Sequence, residues 1–548
     1  MESMSVYPHI TDTAAFDVII IGAGINGTAI ARDAAMRGLR VLLADKADVG
    51  GGTTSWSTRL IHGGLRYLEH LEVALVRESL HERNTLLQTA PHLVHPIHFL
   101  LPVYAEGTHR QGTIRLGMLA YEVLSAGNGK TGHHQMLTAE ESLRLAPGLD
   151  PDGLQGGALY FDAQAVYPER LALENALSAR EHGAIVTTYT SATGFSTSGD
   201  RATAVRLLDQ RTGHTTAATA AVVMNAAGPW ADGVISTLPG RRGRLIGGTK
   251  GSHLIVRPFP GAPRAAVYTE AVDNRPYFIV PWAGNYLIGT TDERFDGDLD
   301  DVVATDEEID YLIQSTNHVI PAAGLGRDDV LWTYCGVRPL PYEPGVPEGK
   351  VTRKHLFHRD ESLRNLISVV GGKLTTHRSL AQEAVDLIFD TLGRPAPACR
   401  TADEALPGGR AGDWARFADG FRSSSGQPDE VASHLLDVYG VRAAEVLSYA
   451  DDDPQLRAQI PGSAAIAAEV PFAVRNEMAR TLADVYQRRT MLGVRGDLGL
   501  GTLDAVTSLA IRTLNWDAER AAAEAQHYRQ QVVHLHPGHV TAAVGRAS

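Results

Sequence analysis

A chain of 548 residues is longer than one hydrophobic core organises, so two to four domains are expected, some assembled from separated segments. With 44% hydrophobic and 21% charged residues it is a globular composition, which excludes a wholly disordered chain. A net charge of −13 opposes bulk attraction to nucleic acid or anionic lipid, and two cysteines, expected to be reduced, exclude a disulfide framework or a zinc site.

Met1 to Thr13 is polar without an apolar stretch, so no secretory signal is read and the cytoplasm is the expected location. No run approaches the ~18 apolar residues that a membrane span requires. Phe16 to Ile21 (FDVIII) is a β-branched strand leading into Gly22-Ala23-Gly24-Ile25-Asn26-Gly27, the G-x-G-x-x-G pattern in its proper setting. Gly22 permits a tight turn, Gly24 lets the backbone approach a pyrophosphate, and Gly27 lets the following helix pack closely. The helix N-terminus offers its unpaired N–H groups to the phosphates. Ala31, Ala34 and Ala35 follow at helical spacing, Gly38 ends the helix, and Arg40 to Ala44 (RVLLA) is the second strand. Asp45 closes the unit where an acid bonds an adenosine ribose. This pattern identifies a dinucleotide site and leaves NAD and FAD both open.

The stretch RLIHGGLRYLEH, residues 59–70, sets two adjacent glycines beside basic side chains, and a polar loop able to adopt positive φ suits close approach to a flat cofactor. Between Val94 and Leu149 the chain reads as irregular, with residues 127–134 an exposed loop, and a helical pattern resumes from Tyr167 to Gly183. Strands are expected at Val205 to Leu208, Leu254 to Val256, Tyr277 to Val280 and Tyr286 to Thr290. Ala221 to Trp230 (AVVMNAAGPW) reads as a buried strand ending in a turn, as where a flavoprotein with a two-dinucleotide-binding fold returns its backbone to the cofactor, and this favours FAD. The acidic segment DERFDGDLDD, residues 292–301, departs from the EF-hand pattern and reads as a solvated loop, so no metal site is expected. Gly371 to Thr376 precedes a helix, residues 406–414 read as a linker, and Val474 to Leu492 has helical periodicity with Met478, Leu482 and Val485 on one face. Arg480, Arg488 and Arg489 form a basic group that reads as a solvated face or a partner contact, and residues 537–548 carry no pattern.

With TSWSTRLIHGGLRYLEH, NAAGPWAD, KGSHLIV, YLIGTTDERFDGD, WTYCGVRPL, VTRKH and SVVGGKLTTHR in this order, the chain resembles the FAD-dependent glycerol-3-phosphate dehydrogenases of respiration. The resemblance implies an α/β fold: a two-dinucleotide-binding, Rossmann-like FAD domain over residues 16–403, after a tail at 1–15. A substrate domain of antiparallel sheet is inserted at about 90–160 and 245–345, and a helical domain follows at 404–548. It implies non-covalent FAD held by Gly22, Gly24, Ile25, Asn26, Gly27, Asp45, Thr54, Ser55, Ser57, Arg59, Leu60, His62, Gly63, Gly64, Gly228, Gly372, Lys373, Leu374 and Thr375. Ser57 to Gly64 would run beneath the flavin, where a side chain obstructs the ring. Arg66, Tyr67, Arg353 and Lys373 would bind the phosphate of the substrate, with Arg338 and His253 at the reacting carbon. His253 has the intrinsic pKa of a proton acceptor and Arg338, hard to deprotonate, suits the hydroxyl and alkoxide.

The reaction implied is oxidation of sn-glycerol 3-phosphate to dihydroxyacetone phosphate, with electrons passed to a membrane quinone by a homodimer on the cytoplasmic face of the membrane. Residues 241–248 (RRGRLIGG) combine charge with apolar side chains as an interfacial patch does. Asp45 stands where the family more often has Glu, and Cys335, where serine is common, reads as a buried structural residue. The alternatives are an oxidase that returns the electrons to oxygen as peroxide, a catalytically silent flavin-binding assembly module, and an amine oxidase, which would want one arginine for a carboxylate in place of a cationic cluster.

Overall fold

The computed structural model describes residues 14–65, 72–106, 111–125, 133–238 and 243–537. The tail at 1–13, Arg66, Tyr67, Arg241, Arg242 and the stretch from 538 onward lie outside the described residues. So does most of the loop expected at 127–134.

The first strand, Ala15–Ile21, lies at the centre of a parallel sheet, between Val41–Ala44 and Thr215–Asn225. Leu366–Val370 extends the sheet beyond Thr215–Asn225 and Ile185–Thr187 extends it beyond Val41–Ala44, both in parallel. Val18 to Ile20 are wholly buried because both faces are covered, which is why the strand is a continuous apolar run without alternation. Helix Ile25–Met36 packs across this sheet beside helices Pro168–Glu181 and His377–Leu392, and its alanines allow the close approach. At Gly27 any Cβ would stand 1.8 Å from the Gly22 carbonyl oxygen, so the third glycine of the motif is fixed by packing.

A second sheet of ten strands, antiparallel except where Val94–Tyr104 meets Ala266–Glu270, takes its strands from Leu60 to Ala165 and from Thr249 to Arg338. Three of the expected middle strands are here, in Thr249–Val256, Pro276–Trp282 and Asn285–Gly289, the last ending one residue short of Thr290, whereas Val205 to Leu208 lies in Arg201–Asp209, an antiparallel strand of the first sheet. The stretch from Val94 to Leu149 is not irregular. It holds strand Val94–Tyr104, helix Gln111–Ser125, strand Gln135–Thr138 and helix Ala139–Leu145. Pro96 and Pro102 hide the first strand in the sequence. The structure tolerates them because one neighbour meets that strand only at Phe99 and Leu100, leaving no second ladder that needs a proline N–H.

From Trp414 the chain is helical, and its core merges with that of the second sheet through Phe99, Trp332, Leu436 and Tyr486. Val474 to Leu492 is not one helix. Helix Glu469–Asn476 ends, Met478 takes a left-handed φ of 61°, and a short turn, Leu482–Asp484, continues into a π-helical turn, Val485–Arg489. Met478, Leu482 and Val485 are nonetheless all buried. Arg488 and Arg489 are not a solvated face: both are buried, on Asp48 at 2.6 and 2.8 Å, and Arg488 also meets Asp484. The wide turn aims both guanidinium groups at the loop that follows the second strand of the parallel sheet. Among the described residues no helix is long and apolar enough to cross a membrane. In the 241–248 patch, Ile246 is buried and Arg244 pairs with Asp296 while lying over the Tyr342 ring at 4.8 Å.

Candidate active site

A cavity of about 830 Å³ opens at the carboxyl ends of the parallel strands. Its floor is the glycine turn and the start of helix Ile25–Met36, where Gly24 is the N-cap and has no side chain to cap the helix. Thr54 Oγ1 accepts the Ile25 N–H at 3.0 Å. Asp45 accepts the Ala23 N–H at 2.5 Å and the Ala47 N–H at 2.8 Å, so it ties the glycine turn to the second strand. Burial pushes its pKa up, against these two donors. Asn26 Oδ1 is buried and has no hydrogen-bond partner among the described residues, an acceptor that a ligand N–H or O–H in the cavity would satisfy. A glycine turn opening onto a helix N-terminus, an unsatisfied amide oxygen and a cavity of this volume together fit a dinucleotide cofactor.

Of the expected cofactor residues, Gly22, Gly24, Ile25, Asn26, Asp45, Thr54, Ser57, Gly228, Gly372, Lys373 and Leu374 line this cavity. The others stand behind it. Gly27 is packed on Gly22, and the Ser55 hydroxyl donates to the Gly50 carbonyl at 2.7 Å. Leu60 is buried in a strand paired with Gln164. Arg59, with a φ of 61°, is 1% exposed and buries its charge against Glu169 at 3.0 Å, over the Trp282 ring at 4.4 Å. His62 and Thr375 lock to each other, the His62 N–H donating to Thr375 Oγ1 at 3.2 Å and that hydroxyl donating to the His62 carbonyl at 3.4 Å. Gly64 has a φ of 77°. At Gly63 the space a side chain would take is filled by protein, since a Cβ there would stand 2.3 Å from the Tyr121 hydroxyl and 2.5 Å from Leu80. A glycine is therefore required at this position by the packing of helices Val73–Thr89 and Gln111–Ser125.

The remaining walls come from distant parts of the chain. Residues 299–303 close one side, held by the Asp300 carboxylate, which accepts from Lys46 Nζ at 2.5 Å and Trp230 Nε1 at 2.8 Å. His527, Gln530, His534 and Leu535 of the helical region close another, and the Leu535 carbonyl accepts the Thr333 N–H at 2.7 Å. Cys335 lines the wall, and burial pushes its thiol up to about 12.

Beside the cavity, strands Thr249–Val256 and Val330–Arg338 pair so that Gly251, His253, Tyr334 and Arg338 share one face. His253 is 1% exposed and stacks on Tyr334 with 4.7 Å between ring centres. Its Nε2 is 2.9 Å from Thr58 Oγ1, while Nδ1 has no partner among the described residues. Burial drives its pKa well below the usual histidine value, and Arg338 and Arg59 add to this, so the ring is neutral. Arg338 donates to Asp292 Oδ1 at 3.0 Å and to Thr290 Oγ1 at 3.1 Å, and Arg353 donates to Asp292 Oδ2 at 2.9 Å. Burial would raise the Asp292 pKa, but the two arginines hold it low. Lys373 belongs to both cavity and cluster, and burial draws its pKa down to about 7, with Glu72 and Glu78 opposing and Arg353 assisting. Asp292 thus does the opposite of what the acidic loop suggested, whereas Asp300 is exposed, as a solvated loop implies. The available signal was position, because Asp292 follows a buried strand by only two residues.

A family model described as FAD dependent oxidoreductase matches residues 17–386, and one described as the C-terminal domain of alpha-glycerophosphate oxidase matches residues 399–521. A glycerol-3-phosphate dehydrogenase of Synechocystis is 45% identical over 543 residues, covering 96% of this chain and 98% of that one. One of Mycobacterium leprae is 35% identical over 95% of this chain and 88% of its own. The crystal structure of a Bacillus halodurans glycerol-3-phosphate dehydrogenase complexed with FAD superposes with a TM-score of 0.79 at 28% identity, covering 95% of each chain. Matched along nearly its whole length, the chain belongs to the FAD-dependent oxidoreductases, in the glycerol-3-phosphate dehydrogenase family.

Proposed function

We propose that the protein oxidises sn-glycerol 3-phosphate to dihydroxyacetone phosphate and passes the electrons to a membrane quinone. The observation that carries this reading is the convergence of Arg338, Arg353 and Lys373 beside the cofactor cavity, a cationic cluster suited to a small phosphomonoester dianion. FAD, held without a covalent bond by the cavity residues named above, supplies the hydride acceptor. Arg353 and Lys373, with Arg66 and Tyr67, hold the phosphate and so place the substrate carbon. Arg338, pinned by Thr290 and Asp292, presents fixed positive charge to the hydroxyl that becomes the ketone oxygen.

His253 takes the hydroxyl proton. Its neutral ring has an unbonded Nδ1, and loss of hydride from the carbinol carbon makes that proton strongly acidic, so a base weakened by burial still accepts it. Attachment to the cytoplasmic face of the membrane and assembly as a homodimer complete the reading. Oxygen is the alternative acceptor, favoured by the match of the helical region to a domain described for an oxidase.

The deciding experiment mixes the yellow protein anaerobically with sn-glycerol 3-phosphate and follows flavin absorbance near ~450 nm, then admits a quinone analogue or air. Bleaching with fast reoxidation by quinone and slow reoxidation in air is expected. Fast reoxidation in air with release of peroxide replaces quinone by oxygen, and a flavin that stays oxidised removes the substrate assignment.

A further inference from the structure

We propose that Asp292 is a positioning residue whose carboxylate, lodged between Arg338 and Arg353, fixes the spacing of the two guanidinium groups and tempers the positive charge they present to an anion. This rests on the reading that Arg338, Arg353 and Lys373 face the substrate phosphate and hydroxyl.

A carboxylate inside an anion site costs attraction for the anion, so it requires a compensating role. The geometry supplies one. One carboxylate oxygen takes Arg338 at 3.0 Å and the other takes Arg353 at 2.9 Å, so a single rigid group sets the distance between two cations that would otherwise repel. Arg338 is held at a second point by Thr290 Oγ1 and rests against Gly251, where a Cβ would stand 2.2 Å from its Nη2. Arg338 therefore has a floor, a side wall and, in Asp292, an end stop. Between the two guanidinium groups the carboxylate also takes one positive charge off the face they offer to an anion. Without Asp292 the site is one charge more positive, binds any oxyanion more tightly, and lets the arginines spread from the place where the hydroxyl reacts.

The test compares Asp292→Asn and Asp292→Glu with the parent holoenzyme, reading kcat, KM, flavin content and inhibition by inorganic phosphate. In Asp292→Asn, kcat is expected to fall about 10- to 100-fold, while inorganic phosphate inhibits at lower concentration than in the parent and flavin content is unchanged. Asp292→Glu restores the parent's phosphate inhibition, because the charge returns, and recovers part of the turnover. A structural role would instead weaken phosphate inhibition together with kcat and flavin content, and that result overturns the proposal, as does a parent-like kcat in Asp292→Asn. Should Asp292→Asn yield no holoenzyme, Asp292→Glu decides alone: reduced kcat with unchanged phosphate inhibition is expected, and a parent-like kcat overturns the proposal. Arg338→Ala separates the two layers. If it turns over normally the substrate-site reading has failed, whereas an inactive Arg338→Ala beside a normal Asp292→Asn removes only the role of Asp292.

Discussion

Replacing Gly251 with alanine displaces Arg338 without touching it. The new Cβ would stand 2.2 Å from Arg338 Nη2 and 2.5 Å from Thr290 Oγ1, both at the far ends of side chains that can move. The guanidinium must retreat by roughly 1 Å to reach an ordinary carbon contact. Because the strand backbone is not forced, folding stability should change by less than about 1 kcal/mol. A misplacement of ~1 Å at a group acting on the reacting atoms costs on the order of 100-fold in rate. Gly251→Ala should therefore load flavin and melt like the parent while the anaerobic bleaching rate with sn-glycerol 3-phosphate falls by about two orders of magnitude. Stopped-flow absorbance measures that rate directly, separate from reoxidation. A bleaching rate within about twofold of the parent, with flavin fully loaded, would refute the role given to Arg338.

His253→Asn should slow flavin reduction by ~10²- to 10⁴-fold in single turnover, and an unchanged rate from about pH 6 to pH 9 would take His253 out of the proton-acceptor role. The KM for substrate should rise as pH climbs through about 7, because Lys373 is charged below that value and neutral above it. Lys373→Arg, charged throughout, should abolish the rise; a parent KM that stays level over this range places Lys373 outside the anion site. Glu477 is wholly buried, yet Arg170 and Arg442 outweigh burial and hold its pKa down to about 2. A depressed carboxyl pKa contributes stability that is complete above the unfolded value near 4.5 and vanishes as pH falls toward about 2, worth roughly 3 kcal/mol at neutral pH. Glu477→Gln should start lower in urea midpoint, having left buried arginine charge uncompensated, and lose less between those pH values; an acid slope as steep as the parent's would contradict the assignment.

The dinucleotide unit was legible because its requirements are local. A buried strand, a glycine turn and an acid within thirty residues fix one another, and Gly22 and Asp45 stand where the motif implies. Arg338 and Arg353 were legible only through resemblance, since nothing within their own segments shows that a shared carboxylate brings them together. Asp292 was read as solvated because an acidic run carries no record of the guanidinium groups that neutralise it from 46 and 61 residues away. Arg488 and Arg489 failed for the same reason, their partner Asp48 lying more than four hundred residues earlier. Periodicity placed Met478, Leu482 and Val485 in the core, and it could not see the left-handed turn at Met478 that lets a broken helix bury them. Charge pairing at long range is what a single sequence conceals.

The walls around the flavin are made at very different times during synthesis. The glycine turn at Gly22 leaves the ribosome early, but Leu535, whose carbonyl fastens the far wall to Thr333, follows some five hundred residues later, on the order of 25 to 100 s at usual elongation speeds. Until then the wall formed by His527, Gln530, His534 and Leu535 is missing from the cavity. The closed cavity thus exists only after the segment around Leu535 has been made.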